Sequence, residues 1–479
     1  MAIDLRAADR DQLLLMPPSV ADWLPEDHLA WFIIDVVAEL DLSDFYASYR
    51  ADGRGGATYD PAFMLSTLFY AYATGERSSR RIERRLVDDV GFRVVAANQT
   101  PDHATLARFR RRHEEAIAEL FAQVLGLCVE SGLVDSSVIS IDGTKIEANA
   151  SAWANRTRRQ LAEEILAEAE NADQADDEAF GERRGDELPG QFAPGADRRA
   201  RLREALRQLD SQGAADHEAH LAQRAQREAE LGHKFPGRKP SPEGAQSKER
   251  LANVTDPDSR MLRARNRFLQ GYNAQAAVSA DQIVVAAEIT NAANDTTMFV
   301  PMLDATERHL GDAGAVAPGV IAADTGYWSA ENLAHRIDAE VLIPPMPNTK
   351  GQLDDHDPRL ALRESVLSRV EAGELDRRSA AEALGVSDTQ VNKLLANRRR
   401  GIGDPAILRS QMLERLKSDE ARAHYAVRKI TVEPVFGNIK ANLRFRKFSG
   451  RGIEAVRSEW RLICSVHNLL KLKRAAIGT

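Results

Sequence analysis

The chain has 479 residues, 43% hydrophobic and 28% charged, with a formal net charge of −8. That length exceeds one ordinary core and predicts a multidomain protein. The start "MAIDLRAADR" lacks the basic-then-apolar pattern of a secretory signal, and no apolar run approaches the roughly 20 residues that span a bilayer, so a cytoplasmic protein is expected. Cys128 and Cys464 both sit among apolar helical residues, which suits reduced core thiols better than a disulfide or a zinc site. The charge is unevenly spread. Leu161–Gly190 carries eleven Asp and Glu against two Arg, and Tyr425–Thr479 carries twelve Lys and Arg against three Glu. A polyanion-binding face and a separate solvated acidic part are expected.

In chain order, Leu13 to Gly132 has apolar residues at three-to-four spacing, with Asp60 before Pro61, Ser78 and Asp102 as helix starts. This predicts a helical bundle. It carries a basic run that includes Arg80, Arg81 and Arg84, followed by Arg108, Arg110, Arg111 and Arg112; these are either a solvated face or phosphate contacts. Val138, Ile139 and Ile141 form a short β-rich segment with Asp142 at its end. Arg156 to about Arg250 is charged and rich in Ala, Glu and Gln. It reads as two helices, about Arg156–Ala172 and Asp197–Leu231, in an insertion without its own core. "FLQGYNAQAAVSADQIVVAAEITNAAND" reads as a hairpin of two strands around "SADQ". An amphipathic helix follows in "DTTMFVPMLDATERHL", then a buried strand Val320–Ala323 ending at Asp324, a helix capped by Ser329, and a short strand in "EVLIPPMP".

Asp376–Gly401 has the small, turn-forming and apolar positions of a helix-turn-helix at Ala381, Gly385 and Val391, with Ser387 as N-cap of the second helix. Gln390, Asn392 and Lys393 are expected on the exposed side of that helix, either reading DNA or in a structural insert. The boundaries so drawn are a helical N-terminal DNA-binding domain (1–135), the first strand of an α/β core (136–155), a charged helical insertion (156–250), the core continued (251–350), the helix-turn-helix-like insertion (351–415) and C-terminal helices (416–479).

Asp142 and Asp324 each close an apolar strand of one proposed sheet, where functional sites of open α/β layers lie, and Glu433 stands alone on a basic helix. Three converging carboxylates need cations. Two Mg²⁺ ions would leave one net positive charge for a phosphodiester, the arrangement of two-metal phosphoryl transfer.

"SIDGTKIEANAS", "GYNAQAAVS", "AADTGYWS" and "YAVRKITVEPVFGNIKANLRFRKFSGRGIEAVRSEWRLICSVHNLLKL" together resemble the bacterial insertion-sequence transposases of the DDE type. The resemblance implies a ribonuclease-H-like catalytic core in an α/β fold with an all-helical N-terminal domain. It implies Asp142, Asp324 and Glu433 as the metal-binding triad, with two Mg²⁺ or possible Mn²⁺ ions. Tyr425, Arg428 and Lys440 match the residues that accompany the family's Glu. The gap from Arg to Glu is one residue longer than in the best-known pattern, which leaves Arg428 and Lys429 both open. Lys440, Arg444, Arg446 and Lys447 are expected to follow DNA phosphates, and Trp328 either packs or stacks on a displaced base. The implied activity is binding of the terminal inverted repeats, cleavage at the element's ends and strand transfer to target DNA. A homodimer or larger synaptic complex associated with the nucleoid is implied. The rival readings are a noncatalytic DNA-binding regulator and a metal-dependent nuclease.

Overall fold

Local side-chain chemistry starts the N-terminal helices where the sequence signals them. Asp60 accepts the Ala62 N–H at 2.7 Å with Pro61 in the first turn, and Asp102 accepts the Thr105 N–H at 2.6 Å. The computed structural model describes residues 19–49, 58–167, 196–231, 251–264, 267–335, 338–346 and 359–478. Most of the acidic segment and the "FPGRKPSPEG" stretch lie outside the described residues.

The N-terminal helices are α1 (Leu29–Glu39), α2 (Ser43–Ala47), α3 (Pro61–Ala73), α4 (Ser79–Asp88), α5 (Val90–Val95), α6 (His103–Arg112) and α7 (Glu114–Glu130). The central strand β1 (Val138–Glu147) follows. A short antiparallel ribbon, β2 (Asn155–Thr157) with β3 (Leu251–Asn253), closes the base of the charged insertion. Its helices are α8 (158–167) and α9 (Ala196–Leu231). The core resumes with β4 (Arg260–Ala264), β5 (Arg267–Val278), β6 (Val284–Thr290), α10 (Phe299–Asp312), β7 (Val320–Ala323), α11 (Ala330–Ala334) and β8 (Glu340–Leu342).

The sheet runs β6-β5-β1-β7-β8, with β4 paired to the first half of β5. β1 is antiparallel to β5 and parallel to β7, which is parallel to β8. This mixed order, with helices on both faces, is the ribonuclease-H-like core. One face packs on α10 through Ile139, Ile141, Val285 and Ile321. The other packs on α16 (Asp419–Gly437), on the C-terminal helix α17 (Ile453–Gly478) and on the N-terminal helices.

The N-terminal helices share one core with the sheet and α17. Tyr72 of α3 stacks on Phe445 with ring centroids 5.0 Å apart, and buried Trp460 of α17 donates to the Gln275 carbonyl at 2.9 Å. The second insertion has its own small core. Helices α12 (Arg359–Glu371), α13 (Arg377–Leu384) and α14 (Asp388–Arg399) enclose Leu367, Leu384, Val391 and Leu395. Gly385 takes the left-handed conformation between α13 and α14, and Ser387 and Gln390 form a capping box. Helix α15 (Pro405–Arg415) leads back to the sheet, where Met412 packs beside Val320 and Leu342. Cys128 and Cys464 are buried free thiols, and burial pushes Cys128 up to about 12.

Candidate active site

Parallel pairing sets Ile141 of β1 opposite Ala323 of β7. The next residue on each strand is an aspartate, so Asp142 and Asp324 stand side by side. Asp324 turns its carboxylate back to accept the Gly326 N–H at 2.8 Å. Asp142 is pushed up to about 6, mainly by burial and also by Asp324 and Asp295, against the pull of the Arg428 guanidinium and the Gly143 N–H. Asp324 is also raised, mainly by burial, against the Gly326 N–H and Arg428. Two carboxylates so placed favour a cation between them.

The cation supplied by the chain is Arg428. Its Nη1 donates to Asp142 Oδ2 at 2.6 Å, with side chains 14% and 19% exposed. The guanidinium carbon lies 5.9 Å from the Tyr425 ring centroid. Arg428 Nε is buried without a hydrogen-bond partner, a donor left for another acceptor. Three residues on, Thr431 Oγ1 meets Ser140 Oγ at 3.0 Å, which seats α16 on β1. Arg428 and Lys429 are thereby distinguished: Arg428 is in the site and Lys429 is exposed.

A second set of polar residues was not anticipated from the sequence. Asp295 accepts from Asn273 Nδ2 at 2.6 Å, Gln275 Nε2 at 2.8 Å and Lys145 Nζ at 3.3 Å. Gln275 Oε1 in turn accepts the hydroxyl of buried Tyr327, three residues after Asp324. Asn273 Oδ1 is buried with no partner. Gly143 makes room for this network, since a Cβ there would lie 2.3 Å from Gln275 Nε2 and 2.6 Å from Asp295 Oδ1. The available signal was Asn273 and Gln275, two amides on one face of the otherwise apolar "GYNAQAAV". Buried amides require partners.

Glu433 lies on α16 but is exposed. Pro434 follows it inside the helix and has no N–H for the Ile430 carbonyl, which accepts from Gln282 Nε2 at 2.9 Å instead. A π-helical turn, Asn438–Asn442, continues the chain. Among the described residues no three His, Cys, Asp or Glu side chains are grouped to hold a metal ion. The structure joins Asp142 to Asp324 and leaves Glu433 apart from them. Lys440 Nζ donates to Thr144 Oγ1 and, at 3.0 Å, to the Lys145 carbonyl, so it is anchored to β1.

Arg444, in the left-handed region at φ 61°, and Arg446 are exposed, and Lys447 bridges to Glu147 at the end of β1. Trp328 is half-buried beside Leu333 and Tyr425. Arg80, Arg81 and Arg84 are exposed on α4, with Arg81 Nε 3.4 Å from Glu76. Arg110, from the second basic run, is instead inside: it donates to the Tyr72 hydroxyl at 3.2 Å and to the Arg77 carbonyl at 3.1 Å. On α14 Lys393 is exposed and Asn392 half-buried, whereas Gln390 Oε1 accepts the Ser387 N–H at 3.0 Å and caps its own helix.

A ribonuclease-H-like sheet with a half-buried aspartate pair on two parallel central strands defines the class, that of ribonuclease-H-like enzymes. Residues 249–469 match the family described as Transposase DDE domain, and residues 18–112 match the family described as Transposase domain (DUF772). The chain belongs to the insertion-sequence transposases of the DDE type. Asp324 and Glu433 fall inside the longer match, and Asp142 lies between the two. No curated relative and no solved structure matches the chain. Among the described residues no helix is long and apolar enough to cross a membrane.

Proposed function

We propose that the protein binds the terminal inverted repeats of its own element, cleaves the DNA at its ends and joins the freed 3′-OH to target DNA. The observation that carries this reading is the Asp142–Asp324 pair, held side by side by strand register with Arg428 against it. The donors fit a hard divalent cation: two carboxylate groups stand side by side, and both are raised mainly by burial. Asp142 and Asp324 would hold Mg²⁺ or Mn²⁺, two ions in the working site, and Glu433 of α16 would be the third carboxylate. The metal supplies activation of the attacking oxygen and stabilisation of the leaving one.

The chain's own residues position the DNA. Arg428, 14% exposed, gives its guanidinium group to a phosphate oxygen, and Tyr425 supports the guanidinium face. Lys440 fixes the π turn after α16 to β1 and offers its charge to a phosphate on that side of the sheet. Exposed Lys429, Arg444 and Arg446, with Lys447, track the backbone. Trp328 faces the same wall and stacks on a base at the DNA end. Arg80, Arg81 and Arg84 of α4, together with the α13–α14 insert through Asn392, Lys393 and Gln390, read the ends. Two ends joined in one event require a homodimer or larger assembly, acting at the nucleoid of the cytoplasm.

The test is incubation of the protein with duplex DNA carrying the element's ends, a target plasmid and Mg²⁺. Joined products are expected. Binding without cleavage would establish a regulator, and cleavage without joining a nuclease.

A further inference from the structure

Resting on that transposase reading, we infer that the β4–β5 ribbon is a second DNA-contact element, with Phe268 as its apolar wedge and Arg263 and Arg267 as its phosphate contacts. The ribbon is β5 continued past the end of β1, since Glu147, the last residue of β1, pairs with Gly271 and nothing of β1 accompanies β5 further. Its pairing sets Met261 opposite Gln270 and Arg263 opposite Phe268. The alternate positions, Leu262 and Leu269, are 0% and 8% exposed and hold the ribbon down. Phe268 is 67% and Met261 41% exposed on the opposite side. A bare Phe on a soluble surface is ordinary by itself. Here arginines flank it on both strands of the ribbon. From Arg260 to Ala280 the chain has four Arg and no Asp or Glu, in a protein of net charge −8.

The ribbon also adjoins the basic segment that follows α16. Arg267 Nη2 bonds Glu147 at 2.9 Å, while the Glu147 N–H donates to the Arg446 carbonyl at 3.2 Å. Glu147 is thus paired, and Asp256 and Asp258, just before β4, accept the Gly452 and Ile453 N–H groups. Residues opposite one another in an antiparallel pair point to the same face. Asp142 lies opposite Ala276, so Phe268, eight residues earlier on β5, shares the face of Asp142. At about 3.4 Å per residue the two are about 27 Å apart along the strand, or about eight base pairs of duplex at about 3.4 Å each. Tyr272, Ala274 and Ala276 between them are fully buried, with Phe448 packed on Tyr272, so a duplex with its reacting phosphate at Asp142 runs over the covering segment that exposes Arg444 and Arg446 and reaches the ribbon beyond it. The pairing of an apolar wedge with flanking arginines suits a duplex, whose phosphates take the guanidinium groups while the ring enters between base steps.

The test uses the full chain and 40-base-pair duplexes carrying one end of the element, with cleavage, equilibrium affinity and a hydroxyl-radical footprint read together. Phe268→Ala should weaken binding about tenfold and remove protection about eight base pairs from the cut phosphate. Phe268→Trp should restore both. Arg263→Ala combined with Arg267→Ala should lower the slope of log affinity against log salt by about 2. If wild type cuts DNA and all these variants bind and footprint as it does, the ribbon assignment is wrong and the transposase reading stands. Unchanged DNA affinity with a dimer dissociated by Phe268→Ala would put a second copy of the chain on the ribbon and overturn the assignment. A wild type that neither binds nor cuts any duplex would overturn the transposase reading and the ribbon's role with it.

Discussion

The strand-borne and helix-borne halves of the site are held by different forces. Asp142 and Asp324 are adjacent because backbone pairing along Val138–Ile141 and Val320–Ala323 leaves them no other place. Asp295, Gln275 and Tyr327 then brace the loop after β7. Glu433 depends on how α16 is turned about its own axis. That turn is fixed by a few side chains: Arg428 on Asp142, Thr431 on Ser140 and Lys440 on Thr144. Pro434 lies between the second and third of these, and the third sits in the π turn; both features loosen the regular helical ladder. A half built by sheet register is preformed, and a half built by helix rotation can wait for its ligand.

The sharpest break of this contrast is catalytic. Asp142→Asn and Asp324→Asn should each reduce end cleavage by about a thousandfold or more, with the circular dichroism spectrum unchanged. If Glu433 is recruited, Glu433→Gln should lose as much. A Glu433→Gln protein that cleaves at the wild-type rate would confine the chemistry to the strand-borne half.

The next effect is on stability. Arg428→Ala leaves Asp142 buried without its cation, and unfolding at pH 8 should become easier by about 3 kcal/mol or more. The sign with pH follows from the carboxyl's own shift. Asp142 already sits at about 6 with Arg428 present, and removing the guanidinium raises it further. At pH 5 the variant carries a proton there and no bare charge, so urea titrations should show a smaller deficit at pH 5 than at pH 8.

How far the site was legible follows the range of the interactions. Helix starts at Asp60, Asp102, Ser329 and Ser387 depend on bonds to a backbone N–H two or three residues away, and all four are present as the sequence signals them. Asp324 at the end of its strand and the hairpin around "SADQ" were legible from apolar runs and turn residues, whereas Asp142, expected to end its strand, lies inside β1, which runs on to Glu147 through its pairing with β5. The Asp295 network was not, because its partners are 20, 22 and 150 residues away in the chain. Arg110 looked like a surface arginine for the same reason: one of its acceptors, Ser449 Oγ, is 339 residues distant. Nor does periodicity show that α16 turns Glu433 to solvent. That orientation rests on contacts with β1, whose pairing partners come from elsewhere in the chain.

The helix-borne half carries a pH-sensitive group of its own. His467 of α17 accepts from Asn438 Nδ2 at 3.0 Å and donates through Nε2 to the Gln282 carbonyl at 3.0 Å, so it is held neutral between the π turn and the β5–β6 turn. Burial lowers it to about 4, opposed by the bond to Gln282 and aided by Lys471 and Arg474. Its value in the unfolded chain is about 6.5. As pH falls from about 6.5 to about 4 the unfolded state takes up a proton that the folded state refuses. Stability therefore declines across that window, by up to about 3 kcal/mol from this residue. His467→Gln should flatten that part of the stability–pH curve.

The smallest expected effect isolates the seating of α16. Thr431 is fully buried and its hydroxyl meets both Ser140 Oγ, at 3.0 Å, and the Val427 carbonyl, at 2.9 Å. Thr431→Val preserves shape but removes the bond to Ser140, at a cost of about 1 kcal/mol in thermal or urea unfolding. Its value lies in a second readout. With one tether to β1 gone, α16 turns more easily, so Glu433 should reach the aspartate pair at a smaller cost. Mn²⁺ affinity measured by titration calorimetry should then rise even though the fold is weaker. An affinity that falls in step with stability would mean that α16 is already in its working position, and that Glu433 acts from the solvent side or not at all.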